Sequence, residues 1–167
     1  MTILTTDRCV VRSLCLRDHA AMFAYRSDAQ CARWQGWENA VSFEAVRALI
    51  TEMEHRTLAD GDVQLAVAAR EDDRLLGDLY ARLAEGRIEL GVTIAPQAQR
   101  QGLAFEALSA YVALLRRTYP HAVLCADIHP DNAPSRALFQ KLGFVQTDYL
   151  PETESCIYEC APSGSVC

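Results

Sequence analysis

The chain has 167 residues, half of them apolar, which suits one compact domain with a sizeable buried core. Its 16 basic and 22 acidic side chains leave a formal charge of −6. That balance argues against nucleic acid or an anionic membrane as partner, since both want a basic face, and favours a cationic or amine-bearing one.

Met1-Thr2-Ile3-Leu4 carries no basic stretch leading into a long apolar run, and the apolar runs at 65–69 and 111–115 are too short to span a bilayer. A soluble, untargeted, cytoplasmic protein is expected, as a monomer or a homodimer. The seven cysteines are odd in number, irregularly spaced and without a Cys-x-x-Cys pair, and the four histidines are scattered. Buried thiols are expected, with neither a disulfide framework nor a metal site.

In chain order, residues 9–14 read as a first strand, after which Asp18 offers its carboxylate as N-cap to a helix running to about Ser27. A second helical stretch follows. Ser42 caps a longer helix, with Phe43, Val46, Leu49, Ile50 and Met53 at three- and four-residue spacing, expected to end near Asp60-Gly61. Residues 63–70, 74–84 and 87–94 are strand-like runs separated by short polar turns, which predicts an antiparallel meander.

Pro96 ends the third run. From 102 to 118 Leu103, Ala104, Ala107, Leu108, Tyr111, Leu114 and Leu115 follow helical spacing, with Glu106 in the first turn and Arg116 and Arg117 in the last. Residues 122–128 form a buried-type strand. Asn132 then caps a helix with Pro134 in its first turn, Gly143 stops it, and strands over 144–149 and 156–160 close the fold. The expected architecture is one α/β domain over 1–160 and a frayed tail over 161–167, with a parallel crossover from 87 to 128.

The entry turn of that crossover, Gln99-Arg100-Gln101-Gly102-Leu103-Ala104, opens directly into the long helix. Unpaired N–H donors and the positive dipole end suit a phosphate or diphosphate, and Gly102 lets it approach the backbone. An ordinary strand-to-helix turn has the same pattern.

These six residues resemble the Gln/Arg-x-x-Gly-x-Gly/Ala signature of the GNAT superfamily of N-acetyltransferases. The segment from His129 through Asn132 and Ser135 to Arg136, followed by Leu138-Phe139-Gln140-Lys141-Leu142-Gly143-Phe144, is similar to that family's second motif. Thr6-Asp7-Arg8-Cys9-Val10-Val11-Arg12, Tyr25-Arg26-Ser27-Asp28 and the Trp34 to Trp37 segment are similar to its RimJ/RimL branch.

The resemblance implies a central mixed, mostly antiparallel sheet with one splayed parallel pair and helices on both faces. It also implies that acetyl-CoA donates an acetyl group to a primary amine, either a protein N-terminus or a small amine. Gln99, Arg100, Gln101, Gly102, Leu103 and Ala104 would hold the diphosphate. Val92, Thr93 and Ile94 would pair with pantetheine, and Asn132, Ser135 and Phe139 would border it. Two departures stand out: Arg100 occupies a position that is often glycine, and Phe139 one that is often a tyrosine serving as thiolate proton donor.

An amine must be neutral before it attacks a thioester, so a base is needed. Alternation places Glu89, Gly91 and Thr93 on one face of the 87–94 strand, making Glu89 the candidate base. Ser135 resembles the serine proposed as acid in the RimL branch. Trp34 and Trp37 are candidates for an acceptor wall, with core packing as the plainer reading. Cys125 and His129 resemble a nucleophile and base, but no activating site pairs them and direct attack is simpler. A CoA-binding sensor without turnover and an unrelated nucleotide-binding module are the alternatives.

Overall fold

The computed structural model describes residues 1–34 and 41–162. Among these, the strands are β1 Thr2–Thr5, β2 Cys9–Ser13, β3 Asp62–Ala69, β4 Leu75–Ala84, β5 Arg87–Ile94, β6 Val123–Ile128, β7 Val145–Leu150 and β8 Ser155–Cys160. The helices are α1 His19–Arg26, α2 Ala29–Ala32, α3 Phe43–Met53, α4 Leu103–Thr118 and α5 Ala133–Lys141. The strands form one sheet in the order β1-β2-β3-β4-β5-β6-β8-β7. Every neighbouring pair is antiparallel except β5 with β6.

Each face of the sheet buries its own apolar set. On one, Met22, Tyr25, Val46 and Ile50 of α1 and α3 pack with Leu14, Ala66 and Leu75. On the other, Leu103, Leu108, Tyr111 and Leu115 of α4 and Phe139 of α5 pack with Val11, Leu65, Ile88, Leu90 and Tyr158. Leu65 and Ala66 are adjacent on β3 yet serve opposite faces, which is why that strand reads as one continuous apolar run.

Three expectations change. β1 pairs with β2 and precedes the first strand expected, its four residues being too short and half-exposed to stand out. Asp18 occupies the N-cap position of α1 without capping it. Its carboxylate instead takes two bonds from Arg12, at 2.7 and 2.8 Å, and one from the Cys15 N–H. Helix α3 is capped by Ser42, whose Oγ accepts from Ala45 N–H, but it ends at Met53 because the helical spacing of apolar residues stops there. Leu58, the next large apolar residue, is buried in the opposite cluster. The tail over 161–167 lies mostly outside the described residues.

The Arg12–Asp18 pair is buried, and burial opposes ionisation of Asp18; the Arg12 bonds and the Cys15 amide nevertheless hold its carboxyl below the ordinary 3.8. Asp18→Asn is expected to cost about 3 kcal/mol in urea unfolding, the low end for a broken buried pair because Asp73 still holds Arg12 Nε. A carboxyl depressed on folding stabilises above its unfolded value. The wild-type advantage is therefore full above pH 3.8 and shrinks as pH falls further.

Candidate active site

The β4–β5 ladder runs unbroken from Ala84↔Arg87 to Gly77↔Ile94. A side chain at Gly77 would place its Cβ 2.1 Å from the Thr93 carbonyl oxygen, so only glycine permits this close approach. The β5–β6 ladder stops at Glu89↔Cys125, while β6 stays paired with β8 as far as Ile128↔Cys156. Beyond Glu89, β5 follows β4 and β6 follows β8. The parallel pair therefore splays, freeing the β6-facing edge of β5 where Val92, Thr93 and Ile94 lie.

A cavity of about 530 Å³ occupies the splay. Val92, Thr93 and Ile94 line it from β5, and Gln99, Arg100, Gly102, Leu103 and Ala104 from the turn into α4. Gly102 is the N-cap of α4 at φ +77°, a left-handed conformation that glycine adopts without strain. Arg100 is also left-handed, at φ +60°. A side chain there costs about 1–2 kcal/mol, which gives a backbone reason for the glycine usual at that position.

The Gln99 side chain, on the cavity wall, is engaged by the protein itself. Its Nε2 donates to the Ile94 carbonyl at 2.9 Å and braces the turn against β5. Gln101 faces away: its side chain donates to the Gln97 carbonyl, and it lines a separate cavity.

Helix α5 closes the other side. Asn132 Oδ1 accepts from the Ser135 N–H at 3.3 Å, fixing the first turn and placing half-buried Ser135 on the cavity wall. Phe139 lines the same cavity, 2% exposed and edge-on to Phe144 at 5.1 Å.

A second cavity of about 640 Å³ shares Trp34, Leu90, Gly91, Val92, Thr93, Asp127 and His129 with the first. Glu89 belongs to this second cavity alone, half-buried at the point where the splay begins. The two cavities thus meet along β5, with a carboxylate on the far side of the junction. Trp34 stands at that junction, its ring 5.0 Å from the His129 ring and 4.4 Å from the Arg33 guanidinium. Trp37 lies outside the described residues.

Four carboxylates, Asp78, Glu89, Asp127 and Glu154, line the second cavity with Arg26, Arg33 and His129. Asp78 is 1% exposed, accepts from the Tyr25 hydroxyl and Gln64 Nε2, and faces Arg26 Nη2 at 3.6 Å. It builds the floor, leaving the other three carboxylates nearer the opening. Burial, then the charges of Glu89 and Asp62, raise the Tyr80 phenol, so it stays protonated on the same wall.

Sequence reasoning missed Asp78, Tyr80, Asp127 and Glu154. Asp78 had a usable signal, a charge inside the apolar run Leu75-Leu76-Gly77-Asp78-Leu79. Asp127 and Glu154 had none, because the splay and the β7–β8 turn bring them there.

Cys125 is buried, and that burial raises its thiol while Arg87 and Glu89 act in opposite senses. This removes the thiolate a nucleophile needs. Among the described residues no group of three or more His, Cys, Asp or Glu is placed to hold a metal ion. None of their helices is long and apolar enough to cross a membrane.

Residues 8–145 match the family model described as an acetyltransferase (GNAT) domain. The chain is 29% identical to the uncharacterized N-acetyltransferase YoaA of Bacillus subtilis, over 89% of this chain and 85% of that one. Its fold superposes with TM-score 0.84 on RimL, a ribosomal L7/L12 alpha-N-protein acetyltransferase in complex with coenzyme A, at 14% identity over 97% and 98% of the two chains. Spermidine N-acetyltransferase of Vibrio cholerae, in complex with CoA and spermine, gives TM-score 0.75 at 16% identity over 90% and 92%. The GNAT motifs, the splayed parallel pair and a family match over most of the chain agree: this protein belongs to the GNAT family of acetyltransferases.

Proposed function

We propose that this enzyme transfers the acetyl group of acetyl-CoA to a primary amine by direct attack, the donor entering through the first cavity and the acceptor through the second. The observation that carries this reading is the junction of the two cavities along Leu90, Gly91, Val92 and Thr93, with Glu89 on the acceptor side. The turn from Arg100 to Ala104 holds the diphosphate on backbone N–H groups. The free edge of β5 at Val92, Thr93 and Ile94 pairs with pantetheine, and Asn132 positions α5 so that Ser135 and Phe139 border the thiol.

Glu89 accepts the amine proton, directly or through one water, as nitrogen attacks the thioester carbon and the carbon–sulfur bond breaks. Ser135 holds a proton or a water for the departing thiolate. Since CoA thiol is itself a fair leaving group, Ser135→Ala is expected to slow turnover only about tenfold to a hundredfold, and Phe139→Tyr to recover part of that loss. Steady-state rates of both variants check this. Full activity in Ser135→Ala with no response to Phe139→Tyr assigns the proton to solvent.

The acceptor is a cationic amine, a basic protein N-terminus or a small polyamine. Support comes from the carboxylates that outnumber guanidiniums in the second cavity, from Trp34 where the two cavities meet, and from the chain's negative charge. Fold neighbours that act on a protein N-terminus and on spermidine make both acceptor types reasonable for this architecture. A panel of amines and peptides tests the assignment: Michaelis constants of the productive acceptors rise with salt. A panel in which only neutral or anionic acceptors react, independently of salt, overturns it.

A further inference from the structure

Glu106 sits in the first turn of α4, at the helix end whose N–H groups are assigned to the diphosphate. A carboxylate there is drawn to the same positive dipole as the ligand, and its charge opposes the ligand's. Thr6 Oγ1 donates to Glu106 Oε1 at 2.6 Å and the Arg8 backbone N–H to the same oxygen at 2.7 Å, while Arg8 Nε donates to Oε2 at 2.7 Å. The same guanidinium turns its Nη1 to the Gln101 carbonyl at 2.9 Å. Its Nη2 lies 3.6 Å from where a Cβ on Gly102 would stand. Arg8 therefore bridges the carboxylate and the backbone of the turn. Burial opposes ionisation of Glu106, but the bonds from Thr6 and Arg8 together hold its carboxyl below the ordinary value, so it is fully charged at neutral pH.

We infer that Arg8 is a positioning residue for the donor: it neutralises Glu106 and steadies the turn, so that the positive end of α4 is left to the diphosphate. This rests on the reading that the turn binds CoA. It gives a role to the Thr6-Asp7-Arg8 segment, which neither cavity at the reaction centre includes. Loss of Arg8 then harms CoA binding chiefly by exposing Glu106, and removing that charge as well repairs the damage.

The test is calorimetric titration of CoA into wild type, Arg8→Ala, Glu106→Gln and the double variant, with kcat at saturating acetyl-CoA. Arg8→Ala should weaken CoA about tenfold with kcat within about twofold. The double variant should return to within about threefold of wild type, and the Arg8→Ala loss should shrink at about 0.5 M salt. A purely structural clamp predicts the opposite, a double variant no better than Arg8→Ala and a loss insensitive to salt. Unchanged affinity in Arg8→Ala also overturns the inference. Should Arg8→Ala not fold, Arg8→Gln with and without Glu106→Gln makes the same comparison. A folded wild-type enzyme that does not bind CoA overturns the donor-site reading itself, and is distinct from each of these outcomes.

Discussion

Glu89→Gln is expected to lower turnover about a hundredfold near neutral pH while CoA affinity stays at the wild-type value, because glutamine keeps the size and loses the proton acceptor. The separation of effects follows from placement, since Glu89 lines the cavity proposed for the acceptor and not the one proposed for the donor. Its backbone lies at the last rung of the β5–β6 ladder, opposite Cys125 and Arg82, so the variant keeps its strand pairing. An alkylammonium acceptor has a pKa of roughly 10, so raising the pH supplies free amine and should restore part of the lost rate. A Glu89→Gln enzyme that turns over like wild type at saturating amine and neutral pH removes Glu89 as the base.

Gly102→Glu is expected to abolish the thermal stabilisation given by acetyl-CoA. Wild type at about a hundred times its dissociation constant gains about 2.7 kcal/mol, or roughly 5–10 °C in a domain of this size. The substitution puts a side chain on a left-handed N-cap and a carboxylate where the diphosphate is to lie. Gly102→Ala separates the two effects. It carries the backbone strain without the charge, and should melt lower than wild type while keeping most of the ligand shift. A folded Gly102→Glu protein with the wild-type shift means the donor binds elsewhere.

The local chemistry of this fold was readable in the chain, and its long-range placements were not. Leu103, Leu108, Tyr111 and Leu115 repeat at helical spacing and are all buried in α4, so periodicity was enough to find that helix. Alternation along Arg87–Ile94 separated Ile88 and Leu90 from Glu89, because β5 is covered on one face and opens to a cleft on the other. The turn at Gly102 was visible as a glycine before a helix, and the neighbouring left-handed Arg100 was hidden because arginine rarely marks such a backbone.

Asp18 misled for a specific reason. Its position is that of a cap, but a buried Arg12 six residues earlier offered a guanidinium that binds both carboxylate oxygens, and a bidentate ion pair outweighs a single capping bond. The wall of the second cavity needed the tertiary structure. Asp127 and Glu154 come together only because β6 leaves β5 and continues along β8, and the Arg8–Glu106 contact spans 98 residues of chain.

The most direct test of the central claim is simultaneous measurement of CoA thiol released and N-acetylated amine formed, with acetyl-CoA and a panel of cationic amines and basic peptides. Direct transfer predicts that thiol appears only when an effective amine is present, in equal amount to the acetylated product, with no acetyl group left on the protein. Acetyl-CoA bound at the Gly102 turn without amine-dependent thiol release from any member of the panel would contradict it, and would mark the protein as a CoA-binding module without turnover.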